Sequence, residues 1–251
     1  QSLKVKPDFL EALNNKGICL NELCKFDDAM KCFNKVISIM PNFVDAKFNL
    51  GRTQLLNGNF KEGWKNYEAR KLCNPTQYKF QNQKKELRNC KNIKHKIIYV
   101  HHEQGLGDYI QFCRYFKKLT DLGAKIVLDP PKPLINMINK MKIDYINLDK
   151  TKETQYDYYV SIASLPLIFN TNLNSIPKET PYLFTPEVLK KKWCEKLETK
   201  KRKKIGIKWT GSKTYLDDKY RSTNLKKLIN LFELSLDFHS LEIELIVLKY
   251  R

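Results

Sequence analysis

The chain of 251 residues is long enough for one large or two modest domains with a proper core, and it carries 46 Lys and Arg against 27 Asp and Glu, a formal net charge of +19. Such a charge ordinarily points to nucleic acid or an anionic membrane, but the excess here is mostly Lys and is spread along the chain, dense only over Lys190 to Lys204, which argues against a nucleic-acid partner. No apolar run approaches the roughly twenty residues that a membrane-spanning helix needs.

The first element is an internal repeat. Sliding the sequence by 34 positions sets Pro7 on Pro41, Phe9 on Phe43, Ala12 on Ala46, Gly17 on Gly51, Phe26 on Phe60, Ala29 on Gly63 and Phe33 on Tyr67. The period, the small residue midway along each helix and the closing Pro match the tetratricopeptide helix-turn-helix pattern. Residues 7–70 are therefore expected as four helices in two antiparallel hairpins, occupying a domain over 1–74. Trp64, Tyr67, Glu68 and Arg70 read as core of the second pair and its junction with the next domain. Two units fall short of the usual three of an independent solenoid, so earlier repeats precede the chain or the pair docks on its neighbour.

Residues 75–95 read as a polar linker. Next come a strand at 96–102, a helix from about 108 to 121, a strand at Ala124 to Leu128, a helix after Pro133, a short strand at Tyr145 to Leu148 and another near Tyr158 to Ile162. Strands alternating with helices indicate a parallel sheet, here a Rossmann-like domain over 96–185. Pro166, Pro177, Pro181 and Pro186 punctuate the following stretch, and a basic helix is expected from about Glu187 to Thr199. A strand at Lys204 to Trp209, a helix from Asn224 to about Leu234 and a strand at 242–248 then begin a second αβ unit, over 186–251 and incomplete. The chain lacks an initial Met and stops inside an apolar run, so it reads as a fragment of a longer protein.

The loop from Tyr99 to Tyr115, Y-V-H-H-E-Q-G-L-G-D-Y-I-Q-F-C-R-Y, joins the first strand to the first helix of the sheet. Ligands of open α/β sheets bind at such carboxyl ends. Gly105 and Gly107 suggest a dinucleotide fingerprint, but Ile110 stands where the third Gly is needed, and the Asp108 carboxylate would repel a phosphate at the helix start. Asp108 is expected to cap the helix with one oxygen and to leave the other as a general base aimed into a cleft, with Glu103 and His102 next in line. In the second unit, the turn at Thr210, Gly211 and Ser212 offers hydroxyls and backbone N–H groups, and Lys208, Lys213, Lys219 and Arg221 are natural partners for a diphosphate.

Seven cysteines, an odd number with no C-x-x-C pair, read as free thiols of a reducing compartment and hence a cytoplasmic protein; Cys19, Cys24 and Cys32 are expected to be buried. Adjacent His101 and His102 face opposite sides of a strand, which disfavours zinc, and no metal site is expected.

The order G-W-K-N-Y-E-A-R, H-E-Q-G-L-G-D-Y-I-Q-F-C-R-Y, S-L-P-L-I-F-N-T-N-L-N-S-I-P-K-E-T-P-Y-L, G-I-K-W-T-G-S-K and D-D-K-Y-R-S resembles the bacterial tetratricopeptide-repeat glycosyltransferases, related to the heptosyltransferase group of family 9. The resemblance implies an α + α/β architecture, helical repeats followed by two Rossmann-like halves in a truncated GT-B arrangement. It further implies a nucleotide-diphosphate sugar donor, no cofactor, and a protein or glycan acceptor. Asp108 would be the acceptor-activating base, with Gln104, Gly105 and Gly107 shaping the substrate loop. Trp209, Thr210, Gly211, Ser212, Arg221 and Ser222 would lie beside the donor's diphosphate, and a further donor segment would fall beyond Arg251. The rival readings are a non-catalytic tetratricopeptide scaffold that binds a protein partner, and a nucleotide-binding enzyme such as an epimerase, which would be expected to complete the glycine fingerprint and carry a Tyr-x-x-x-Lys pair.

Overall fold

Small residues at the repeat spacing decide how closely the first helices cross. In the computed structural model, which describes residues 6, 8–73, 86–147, 155–197, 202–211 and 218–241, helices α1 (Leu10–Glu22), α2 (Phe26–Ile39), α3 (Val44–Leu56) and α4 (Phe60–Tyr67) form two successive hairpins. A Cβ on Gly17 would lie 2.6–3.0 Å from the Phe33 ring, and one on Gly51 2.5–3.0 Å from the backbone of Asn66 and Tyr67. Each helix pair thus packs too closely for a larger side chain to enter without displacing its neighbour.

Both hairpins turn in the same way. Lys25 N donates to Leu20 O (2.9 Å) and Cys24 N to Asn21 O (2.9 Å); 34 residues on, Asn59 N donates to Gln54 O (2.8 Å) and Gly58 N to Leu55 O (3.2 Å). This is the Schellman arrangement, whose pivot is left-handed: φ is 82° at Gly58 and 56° at its counterpart Cys24. Cys24 was expected to be buried, as was Cys19. Both are exposed, because one is the pivot and the other faces out of α1, while Cys32 is buried; all seven cysteines are free thiols.

A short helix, α5 (Arg70–Cys73), follows, and then a four-stranded parallel sheet of β1 (Ile97–His101), β2 (Lys125–Leu128), β3 (Tyr145–Asn147) and β4 (Tyr158–Ser161) in the order β3-β2-β1-β4. The register sets Ile98 beside Ile126 and Tyr158, and Val100 beside Leu128 and Val160, so β1 is central and buried on both faces. The strand order reverses at β1, which makes the gap between the β1 and β4 loops the topological switch point of the sheet. Leu87 and Ile93, in the segment read as linker, belong to the sheet's core, and Leu87 N donates to Tyr159 O along the outer side of β4 (2.8 Å).

The single helix expected over 108–121 is instead α6 (Leu106–Phe112), a 3₁₀ turn over Cys113–Tyr115, and α7 (Phe116–Asp121). The Ile110 carbonyl accepts from the Cys113 thiol (3.2 Å) and the Tyr182 hydroxyl (3.1 Å), bonds that compete with its α-helical partner and tighten the chain there.

The chain divides into two compact units, Gln1–Phe184 and Thr185–Arg251. In the second, α8 (Glu187–Leu197) precedes β5 (Lys204–Ile207), which pairs in parallel with β6 (Asp237–Ser240). The strand expected at 242–248 lies outside the described residues; the partner of β5 is the more polar Asp237–Ser240, anchored by Phe238 edge-on to Phe232 at 5.1 Å. Residues Leu225–Glu233 are 3₁₀-helical rather than α-helical, started by Asn224, whose side chain accepts from Lys226 N (2.9 Å). No helix among the described residues is long and apolar enough to cross a membrane.

Candidate functional site

The loop after β1 is held from below by a buried charge network. Arg70 is 3% exposed and Glu103 2%. All five guanidinium N–H bonds are used: Nε to Glu103 Oε2 (3.0 Å), Nη2 to Glu103 Oε1 (2.8 Å) and Ser164 Oγ (2.8 Å), and Nη1 to Glu68 Oε1 (2.6 Å) and Tyr67 O (3.3 Å). Glu103 accepts further from Ala163 N (3.0 Å) and from the Ser161 hydroxyl, and Ser164 Oγ donates to Glu68 (2.8 Å). The network therefore fills the switch point between the β1 and β4 loops with a side chain from the repeats. Burial alone would lower the Arg70 pKa, but Glu103 and Glu68 hold it above its ordinary value; burial would raise that of Glu68, but Arg70 and Lys71 pull it below. Glu103, a reserve candidate for the base, is consumed by this pairing.

Above the network the backbone turns sharply. Gln104 is left-handed at φ 63°, and its amide donates to the Tyr67 hydroxyl (2.9 Å), a second tie from the repeats to this loop. Gly105 is the N-cap of α6, and Asp108 is its third helical residue rather than the cap itself. Its Oδ2 reaches back to accept from Gly105 N (3.0 Å), and its other oxygen has no hydrogen-bond partner among the described residues. A Cβ on Gly105 would meet that Oδ2 at 3.3 Å, whereas one on Gly107 would meet nothing within 4 Å, so only Gly105 is constrained locally.

Asp108 lines a cleft of about 700 Å³ whose walls come mostly from two sources, with Thr171 and Ile176 completing it. Arg52, Leu55, Phe60, Trp64 and Tyr67 come from the second hairpin; Gln111, Phe112, Arg114 and Tyr115 come from the helical segment after β1. Trp64 stands edge-on to Phe112 at 6.3 Å and to Tyr67 at 6.0 Å, and its indole N–H is buried without a partner among the described residues. Burial raises the Tyr67 pKa above its ordinary value. The arrangement offers a half-exposed carboxylate beside an aromatic wall, with cations on both sides of the cleft.

In the second unit the structure brings most of the expected donor residues together. Thr223 N donates to Trp209 O (2.9 Å), Gly211 N to Ser222 Oγ (2.7 Å), and Ser222 Oγ to Asp218 Oδ2 (2.6 Å). Arg221 Nη2 lies 3.7 Å from Asp218 Oδ1. Ser212 and Lys213 lie outside the described residues. Two expectations are corrected. The Gly211 N–H is not offered to a ligand but satisfied by Ser222, and the close approach that needs a glycine is made by the Asp218 carboxylate, into which a Cβ would run.

Glu68 and Arg70 stand at the junction the sequence suggested, but their partners Glu103, Ser161 and Ser164 were not legible as such, because the contacts span separations of 33 to 96 residues with no local pattern. The single signal available was a Glu immediately after an apolar strand, where a buried carboxylate needs a cation.

Comparison with known families finds a tetratricopeptide repeat at residues 10–43, which spans α1, α2 and the turn into α3. No curated protein matches the chain.

Proposed function

We propose that this chain belongs to a repeat-bearing glycosyltransferase that moves a sugar from a nucleotide-diphosphate donor to a hydroxyl acceptor. The observation that carries the reading is Asp108: a carboxylate at the carboxyl end of the central strand, fixed through one oxygen, with the other presented at a cleft roomy enough for an acceptor. In the proposed reaction the acceptor oxygen forms a bond to the anomeric carbon as the bond from that carbon to the diphosphate breaks, and the acceptor proton passes to Asp108. Arg221, close to the Gly211 turn, would meet the departing diphosphate. The GT-B arrangement, the donor and the roles of Gln104, Trp209, Thr210 and Ser212 belong to this proposal.

The test is nucleotide release by the full-length protein across a panel of nucleotide-diphosphate sugars, with and without Asp108→Asn. Asn keeps a polar side chain that can accept from Gly105 N but takes no proton, so turnover should fall by roughly 10² to 10⁴ while the fold loses no more than about 1 kcal/mol. An Asn variant that retains most of its turnover would remove Asp108 from the role of base.

A scaffold reading is favoured by a different observation. The tetratricopeptide repeat at 10–43 belongs to a class of helical hairpins that present surfaces to partners, and the switch-point crevice is already filled by Arg70. Absence of turnover with every donor, together with tight capture of one protein by the hairpins, would favour it.

A further inference from the structure

A second cleft, of about 520 Å³, shares Arg114 and Ile176 with the first and is closed by the proline-punctuated segment ending at Phe184. We infer that it binds a phosphate-bearing small molecule.

The argument is one of unmatched charge around a partly enclosed space. Five cationic side chains line it, Arg114, Lys117, Lys118, Lys142 and Lys178, against the two carboxylates of Asp121 and Glu179. The acids are concentrated on one lysine: Lys117 Nζ lies 2.8 Å from both oxygens of Asp121, and Asp121 first, then Glu179, hold its pKa above the ordinary value. The other four cations have no carboxylate partner among the described residues. Lys118 lies over the Phe169 ring at 5.2 Å and Lys142 over Phe184 at 5.1 Å, contacts that attract a cation without neutralising it. Arg114 stacks on Tyr182 at 4.8 Å and donates to that hydroxyl (3.2 Å) and to Pro177 O (3.4 Å), all neutral groups; its Nε–H is buried without a partner among the described residues.

A guanidinium and three ammonium groups around one cavity call for several negative charges and many acceptor oxygens in a small volume. A phosphate or diphosphate supplies both, whereas a single carboxylate would leave most of the cations uncompensated. Met141 and Ile143 form an apolar side to the same cavity, against which the remainder of the molecule would lie. The site is independent of the glycosyl-transfer reading and of any diphosphate held near Arg221.

Calorimetric titration of the full chain with inorganic pyrophosphate, at about 0.15 M salt so that diffuse attraction is screened, tests this. One saturable site is expected, weakened about tenfold for each lysine removed in Lys142→Gln and Lys178→Gln. Both lysines are exposed, so neither change should lower the melting temperature. The control pair Lys25→Gln and Lys61→Gln removes the same charge elsewhere and should leave the affinity unchanged, as should Arg221→Gln. Equal weakening by the control pair would mean that net charge alone binds pyrophosphate and would overturn the inference. So would an affinity that follows Arg221 rather than the cleft lysines, or no saturable binding at all.

Discussion

Arg70→Met is expected to cost about 3–5 kcal/mol, because it leaves Glu103 charged, buried and without its cation. The structure sets the terms of that figure. Four of the five donors lost are hydrogen bonds to side chains at 2.6–3.0 Å, three of them to carboxylates. Lysine cannot substitute, since its three donors diverge from one point and cannot serve Glu103 twice, Glu68 and Ser164 together. Against a typical total of about 5–15 kcal/mol, the loss brings the chain near its unfolding threshold. Urea titration followed by tryptophan fluorescence reads the change directly, because Trp64 packs on Phe112 across the junction. Acid supplies the sign check. Glu68 has a folded-state pKa below its unfolded value, so its contribution is complete above about pH 4.3 and is lost as pH falls through the folded value. In Arg70→Met the cation that depresses it most is gone and Glu103 gains from taking a proton, so the gap between variant and wild type should narrow as the pH is lowered. A second variant, Arg70→Met with Glu103→Leu, should recover only part of the loss, since the Ala163 N–H and the Ser161 hydroxyl would then lack their acceptor. A cost below about 1 kcal/mol for Arg70→Met, or a gap that widens in acid, would refute the account.

Two substitutions test the repeat turns and crossings. Gly51→Ala should cost about 1–3 kcal/mol and clearly more than Gly17→Ala, because backbone faces Gly51 whereas the Phe33 ring beside Gly17 can rotate away; thermal melting of the two variants decides it. Cys24→Gly should stabilise by about 0.5–1 kcal/mol, since it relieves a left-handed residue at the position where the second hairpin already has Gly58, and an unchanged denaturation midpoint would contradict the strain assigned there.

The hairpins were legible because a period of 34 leaves its mark in residue size: Gly17, Gly51 and Gly63 are small for a reason that lies within the hairpins. The β1–α6 connection was legible for the same kind of reason, an apolar run followed at once by glycines and a carboxylate. What escaped were features decided by distant partners. The break in the helix after Phe112 depends on Tyr182, 72 residues from Ile110, and the choice of Asp237–Ser240 as a strand depends on β5, since its own residues carry little strand signal. Asp218 could not be seen filling the space beside Gly211, and a glycine made necessary by a neighbouring side chain reads in sequence like one kept for a ligand.

The saturated guanidinium also bears on the order in which the chain is made. Arg70 finds its last partner 94 residues downstream, at Ser164, so on a ribosome working from the N-terminus both hairpins are complete well before that hydroxyl emerges. Once β4 is synthesised, one side chain gathers the loops of β1 and β4 at a stroke, aligning two strands that are neighbours in the sheet but some 60 residues apart in the chain. In the folded chain, a side chain from the repeats thus ties together the loops that follow two neighbouring strands of the sheet.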